Sequence, residues 1–189
     1  DAMAILAGDA LLTLAFRLVA DNAARVADPA FIGQIVAQVA DAAGTFGMVG
    51  GQVVDLESEG KTVSPETLDY IHLHKTAALI RVSLRTGAML AGGREADVAA
   101  LTEAGQSLGL AFQIVDDILD VEGSLEELGK TAGSDARKQK ATYPAVHGIE
   151  ASRARARDLI ERTKRALEPV GSPAGPIRAL ADFVYERRS

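Results

Sequence analysis

Apolar residues recur at helical spacing along nearly the whole chain, and no run of alternating strand pattern is flanked by turn signals. That periodicity restricts the fold to packed helices. Composition agrees: 48% of residues are hydrophobic but only 4% aromatic, so any core is built from Ala, Leu, Ile and Val. Ala and Leu favour helix over sheet. The expected fold class is all-α, a helical bundle.

Helix boundaries follow from glycine, proline and capping residues. A first helix over about Ala2–Val19 carries Ile5, Leu6, Leu12, Leu14, Phe16 and Leu18 around much of its circumference, which predicts burial on most sides. Asp28-Pro29 starts a second helix that runs to about Ala43; Gly44 and Gly47 interrupt before a third, ending near Gly60. Ser64 caps a fourth with Pro65 at its first position, and this helix reaches Ala91 before Gly92-Gly93. A fifth spans Glu95 to about Val121 and is closed by Gly123. Residues 122–142 are expected to be a polar loop. Shorter helices begin at Tyr143, Ile149 and Gly175.

The net charge of −6 argues against a nucleic-acid surface. It does not exclude phosphorylated ligands, which a metal ion can bridge to carboxylates. The absence of cysteine removes disulfides, thiolate zinc sites and cysteine nucleophiles, and fits a cytoplasmic location. No unbroken apolar run reaches membrane-span length and no signal-peptide layout opens the chain, so neither is expected. The chain starts at Asp1 inside a helical pattern, which suggests a portion of a longer protein.

Asp116, Asp117 and Asp120 follow an uncharged stretch, Leu108–Val115. Spacings of three and four place Asp116 and Asp117 over Asp120, with Gln113 on the same face. A solvated acidic face would repeat its charges along the helix, and this one does not. Clustered carboxylates in an apolar setting need a counter-charge. Magnesium suits them, taking one or two carboxylates together with waters and phosphate oxygens.

Lys75 interrupts the apolar stripe Leu68, Ile71, Leu79 and Val82, with Thr76 beside it. His72 and His74 point apart and are given no catalytic role. Lys130 and Lys140 flank the loop that leaves the acidic helix, where they would be placed to cover a diphosphate. Gly47, Gly50 and Gly51 suggest close helix approach or room for a ligand, with Gln52 and Asp55 facing the same way.

Taken in order, these motifs resemble the trans-isoprenyl diphosphate synthases, most of all bacterial farnesyl diphosphate synthases and their geranylgeranyl relatives. The resemblance runs through Leu6-Ala-Gly-Asp-Ala-Leu-Leu12, Gly50-Gly-Gln-Val-Val-Asp55, His74-Lys-Thr76 and Phe112-Gln-x-x-Asp-Asp-x-x-Asp120. It continues through Gly129-Lys130 and Lys140-Ala-Thr-Tyr-Pro144. It implies the isoprenoid synthase helical fold and a transfer reaction. An allylic diphosphate (dimethylallyl or geranyl) would condense with isopentenyl diphosphate to give farnesyl or geranylgeranyl diphosphate.

The resemblance further implies Mg2+ bound by Asp116, Asp117 and Asp120, with Asp116 the most direct ligand. Lys75, Thr76, Gln113, Lys130 and Lys140 would contact the allylic diphosphate, with Lys75, Asp116 and Lys130 catalytic. Gln52 and Asp55 would line the cavity and Phe112 would lie near the isopentenyl tail. Arg187-Arg188 resembles a basic tail that closes over the site in some relatives. A homodimer is implied as well.

The family's first aspartate-rich motif would lie upstream of Asp1. Residues 1–189 are therefore expected to be the carboxy-terminal part of a single polyprenyl synthetase domain, inactive alone and lacking its amino-terminal helices. Two other readings remain: a non-catalytic helical subunit that binds a partner, and a terpene cyclase, disfavoured by Gly129-Lys130 and Lys140–Pro144.

Overall fold

The computed structural model describes residues 2–26, 28, 30–128 and 141–187, with side chains omitted for 124–128. All regular elements among them are helical, as the periodicity predicts. They are α1 (Ala2–Asp21), α2 (Ala30–Ala43), α3 (Met48–Ser58), α4 (Pro65–His72), α5 (Ala78–Leu90), α6 (Glu95–Leu128), α7 (Tyr143–His147), α8 (Ile149–Ala166) and α9 (Gly175–Glu186).

Helix α6 is the axis of the bundle. Its 34 residues give it a length of about 50 Å. Gly123 does not end it, because one glycine in an exposed helix costs only about 1 kcal/mol and the flanking residues favour helix. On one side α6 packs on α8 and α9, burying Leu108, Ile114, Val115 and Ile118 against Ala156, Leu159, Ile160, Ala181 and Val184. Each such Leu or Ile contributes roughly 1.5–3 kcal/mol when fully buried. A second cluster, Ile35, Val39, Ala42, Ala78 and Val82, joins α2 to α5.

Ser64 caps α4 as expected, its hydroxyl accepting the Thr67 N–H at 3.2 Å. The helix that begins there runs to Leu90, but not with one geometry. Leu73–Ala77 form a π turn between α4 and α5. Buried positions before it are Leu68, Ile71 and His72; Ala77 is buried at its last position, and after it Ala78, Val82, Thr86 and Ala88 are buried. The wide turn resets the helical register and carries Lys75 and Thr76 to the edge of the stripe. Inserted turns of this kind are frequent at functional sites.

Two glycines hold that turn in place. A Cβ on Gly51 of α3 would sit 2.3 Å from the Lys75 backbone nitrogen, and one on Gly109 of α6 would sit 2.5 Å from Ala77 Cα. Both helices therefore touch the π turn backbone to backbone. Gly51 fulfils the close approach that its sequence setting suggests.

Helix α1 departs from expectation. None of its residues is buried, and Met3 and Leu11 are 76% and 66% exposed, so its apolar circumference is not enclosed by the described residues. Residues Ala2–Ala24 also form a stretch of 23 residues, with mean hydropathy 1.8 over its most apolar 18, that by length and composition could cross a membrane. The run is not unbroken, as expected from the sequence: Asp9, Arg17 and Asp21 lie within it.

Candidate active site

The π turn, α3, α6 and the residue after α9 contribute three groups of bonded polar side chains, brought side by side by the adjacent positions Lys75/Thr76 and Asp116/Asp117. On α3, Asp55 accepts a hydrogen bond from Lys75 Nζ at 2.5 Å, and both side chains are largely shielded from solvent. Gln52 lies half-buried three residues earlier. The Asp55 carboxylate anchors the Lys75 ammonium at one place on the site wall, so a long flexible side chain is pre-positioned.

Thr76 reaches across to α6, where its hydroxyl donates to Gln113 Oε1 at 2.9 Å. Gln113 in turn donates through Nε2 to Asp117 Oδ1 at 3.1 Å. The other Asp117 oxygen accepts the Tyr143 backbone N–H at 2.8 Å and lies 3.2 Å from His72 Nε2. The amide of Gln113 is thus oriented from both ends, and Asp117 ties three separate segments together.

Asp117 is 0% exposed. Burial pushes its carboxyl pKa up, but the hydrogen bond from His72 and its electrostatic attraction, the Tyr143 N–H and the Gln113 amide together outweigh it. The carboxyl is held below its ordinary value. This geometry corrects the expectation that all three aspartates share one ligating face. Asp117 faces the core with both oxygens engaged, whereas Asp120 is exposed and the Asp116 side chain is 43% exposed. The one-residue offset between Asp116 and Asp117 turns them about 100° apart on the helix, enough to send one inward and one outward.

Asp116 has a cationic partner already. Arg187, directly after α9, donates from Nη2 to Asp116 Oδ1 at 3.0 Å and to the Phe112 carbonyl at 3.2 Å. Its guanidinium lies 4.2 Å from the centroid of the Phe112 ring. A carboxylate that attracts a guanidinium in this way can also attract a metal ion. Among the described residues no three acidic or histidine side chains converge as a metal cage. Asp116 and Asp120 fit magnesium nonetheless, since that ion needs only one or two carboxylates when waters and phosphate oxygens complete its shell.

Lys130 and Lys140 lie outside the described residues. His72 was missed by sequence reasoning. The available signal was a charged residue, Asp117, lying between the apolar Val115 and Ile118, which requires a buried counter-group. His74 does turn away as expected: it bonds to the Tyr70 carbonyl and stacks on the Tyr70 ring with centroids 3.9 Å apart.

The all-α architecture is that of the isoprenoid synthase fold, shared with a solved geranyltransferase from Helicobacter pylori complexed with magnesium and isoprenyl diphosphate. That likeness has a TM-score of 0.70 and 30% identity, over 98% of this chain and 59% of the other. The model of the polyprenyl synthetase family matches residues 1–171, and the chain belongs to that family. It is 46% identical to a geranylgeranyl diphosphate synthase of Cyanophora paradoxa, over 99% of this chain and 62% of that protein. It is also 46% identical to the farnesyl diphosphate synthase of Escherichia coli (strain K12), over 99% of this chain and 64% of that protein. The chain thus spans somewhat under two thirds of these relatives' length.

Proposed function

We propose that the protein to which these residues contribute is a magnesium-dependent short-chain prenyltransferase. It would join dimethylallyl or geranyl diphosphate to isopentenyl diphosphate and release farnesyl or geranylgeranyl diphosphate. The observation that carries this reading is the bonded array Thr76–Gln113–Asp117 beside the Lys75–Asp55 pair, with Asp116 outward on the next position of the same helix. It sits in a chain of the polyprenyl synthetase family.

Lys75 supplies a fixed positive charge where negative charge grows on the departing diphosphate, and electrostatic stabilisation of this kind acts without a protein base. Thr76 orients the Gln113 amide, whose second N–H is a neutral donor beside it. Asp117 does not touch substrate; it locks Gln113 and the start of α7 against α6. Asp116 and Asp120 would hold magnesium, which supplies Lewis-acid neutralisation of the diphosphate. Lys130 and Lys140 are proposed to approach the same diphosphate, and Gln52 and Phe112 to line the cavity. The low aromatic content leaves aliphatic walls suited to shielding an allylic cation from water.

The 189 residues hold a single Asp-Asp-x-x-Asp motif, so a complete site needs further acidic ligands, and these residues alone are expected to be inactive. A homodimer through the apolar face of α1 would cover side chains that are now exposed. That exposure also favours a second reading, a helical subunit that binds a partner chain. Product analysis separates the two. The full-length protein given isopentenyl and dimethylallyl diphosphate with magnesium should yield a C15 or C20 diphosphate (with a C10 intermediate on the way). No elongation by correctly folded full-length protein would exclude the synthase reading.

A further inference from the structure

We infer that Arg187 is a built-in counter-ion for Asp116, one that a divalent metal must displace before it can bind there. The inference rests on the proposed metal role of Asp116.

The guanidinium is placed, not loosely associated. Helix α9 is fixed on the α6–α8 core by Ala181 and Val184. The backbone leaves helical geometry at Arg187, with φ −59° and ψ 148°, while its N–H still bonds to the Phe183 carbonyl. That exit directs the side chain across to α6. There the guanidinium meets Asp116, the Phe112 carbonyl and the Phe112 ring together, and only 13% of the side chain remains exposed.

Charge explains the docking. Asp116 and Asp120 lie four residues apart on one helix and repel each other. Arg187 offsets that repulsion when no metal is present. Its hydrogen bonding is incomplete, however: Nε is buried with no partner among the described residues. A buried donor left unsatisfied costs about 1–3 kcal/mol, so the docked state is held less firmly than a fully paired one. An incoming divalent ion competes for the same oxygen, Asp116 Oδ1. Once released, a guanidinium is suited to bidentate pairing with a diphosphate. Asp116 would therefore exchange one cation for another as ligands arrive, and free metal would bind less tightly than the bare carboxylates allow.

The test is manganese binding to the full-length protein without diphosphate, followed by electron paramagnetic resonance of the free ion. Wild type, Arg187→Gln, Asp116→Asn and the double variant are compared. Arg187→Gln should bind Mn2+ about fivefold more tightly than wild type, the scale of a partly shielded ion pair, and Asp116→Asn should abolish that gain. Equal or weaker binding by Arg187→Gln, at a site that still depends on Asp116, overturns the counter-ion role alone. Binding that ignores Asp116 in every variant overturns the metal role of Asp116, and this inference with it. Should Arg187→Gln misfold, the 15N resonance of Arg187 Nε in wild type gives the answer. Manganese's diamagnetic substitute Mg2+ should shift it in wild type and not in Asp116→Asn; an unmoved resonance overturns the inference.

Discussion

The Thr76 hydroxyl donates to Gln113 Oε1 across 2.9 Å, and that bond joins the π turn to α6 where the two helices pass at backbone contact. Gln113 is largely buried, so its carbonyl oxygen has little access to water if Thr76 is changed. Thr76→Val keeps the shape and removes the donor. We expect a loss of about 1–3 kcal/mol in urea unfolding, the cost of an unsatisfied buried acceptor. Turnover should fall too, because the Gln113 amide loses one of the two bonds that orient it. Unchanged stability would show that the bond does not hold the turn.

Asp117 makes stability depend on pH in a defined direction. Its folded-state pKa is lowered, burial being outweighed by His72, Tyr143 and Gln113. The contribution is therefore complete above the unfolded carboxylate value of about 3.9 and is lost as pH falls below it, through the folded-state value. Asp117→Asn should cost about 3 kcal/mol at neutral pH, since it leaves His72 buried without its partner. It should also flatten the decline of Tm in acid. A mutant with the same acid slope as wild type would contradict the assignment.

Gly109 meets Ala77 with no space for a side chain. Gly109→Ala should destabilise by roughly 1–3 kcal/mol despite the better helix propensity of alanine, because the overlap falls on backbone. The π turn would have to move, so substrate KM should change along with stability. Gly123→Ala is the control: nothing lies within 4 Å of its added Cβ, and that variant should be neutral or slightly stabilising in thermal melts.

Much of this fold can be read directly from the sequence, because helices announce themselves by local periodicity and caps. Ser64, Pro65 and Gly92 mark real boundaries. The π turn cannot be read that way. It reflects the packing of Gly51 and Gly109 from two helices distant in sequence, and Gly109 carries no sign of it within an apolar run. The same holds for Asp117. Its spacing matches Asp116 and Asp120, and only its three-dimensional partners, His72 and the Tyr143 N–H, reveal that it faces inward. Lys75, Thr76 and Gln113 were recognisable as polar residues in apolar surroundings. The burial expected of α1 failed because periodicity reports an apolar circumference, not what covers it.

The central claim is that Asp116, the outward member of the aspartate cluster, holds the metal that neutralises a leaving diphosphate. Condensation of isopentenyl with dimethylallyl diphosphate by full-length Asp116→Ala, measured at saturating magnesium with circular dichroism alongside, tests it most directly. The account predicts a loss of roughly 100-fold or more in kcat, with helicity unchanged. Near-normal turnover by a fully helical variant would contradict it.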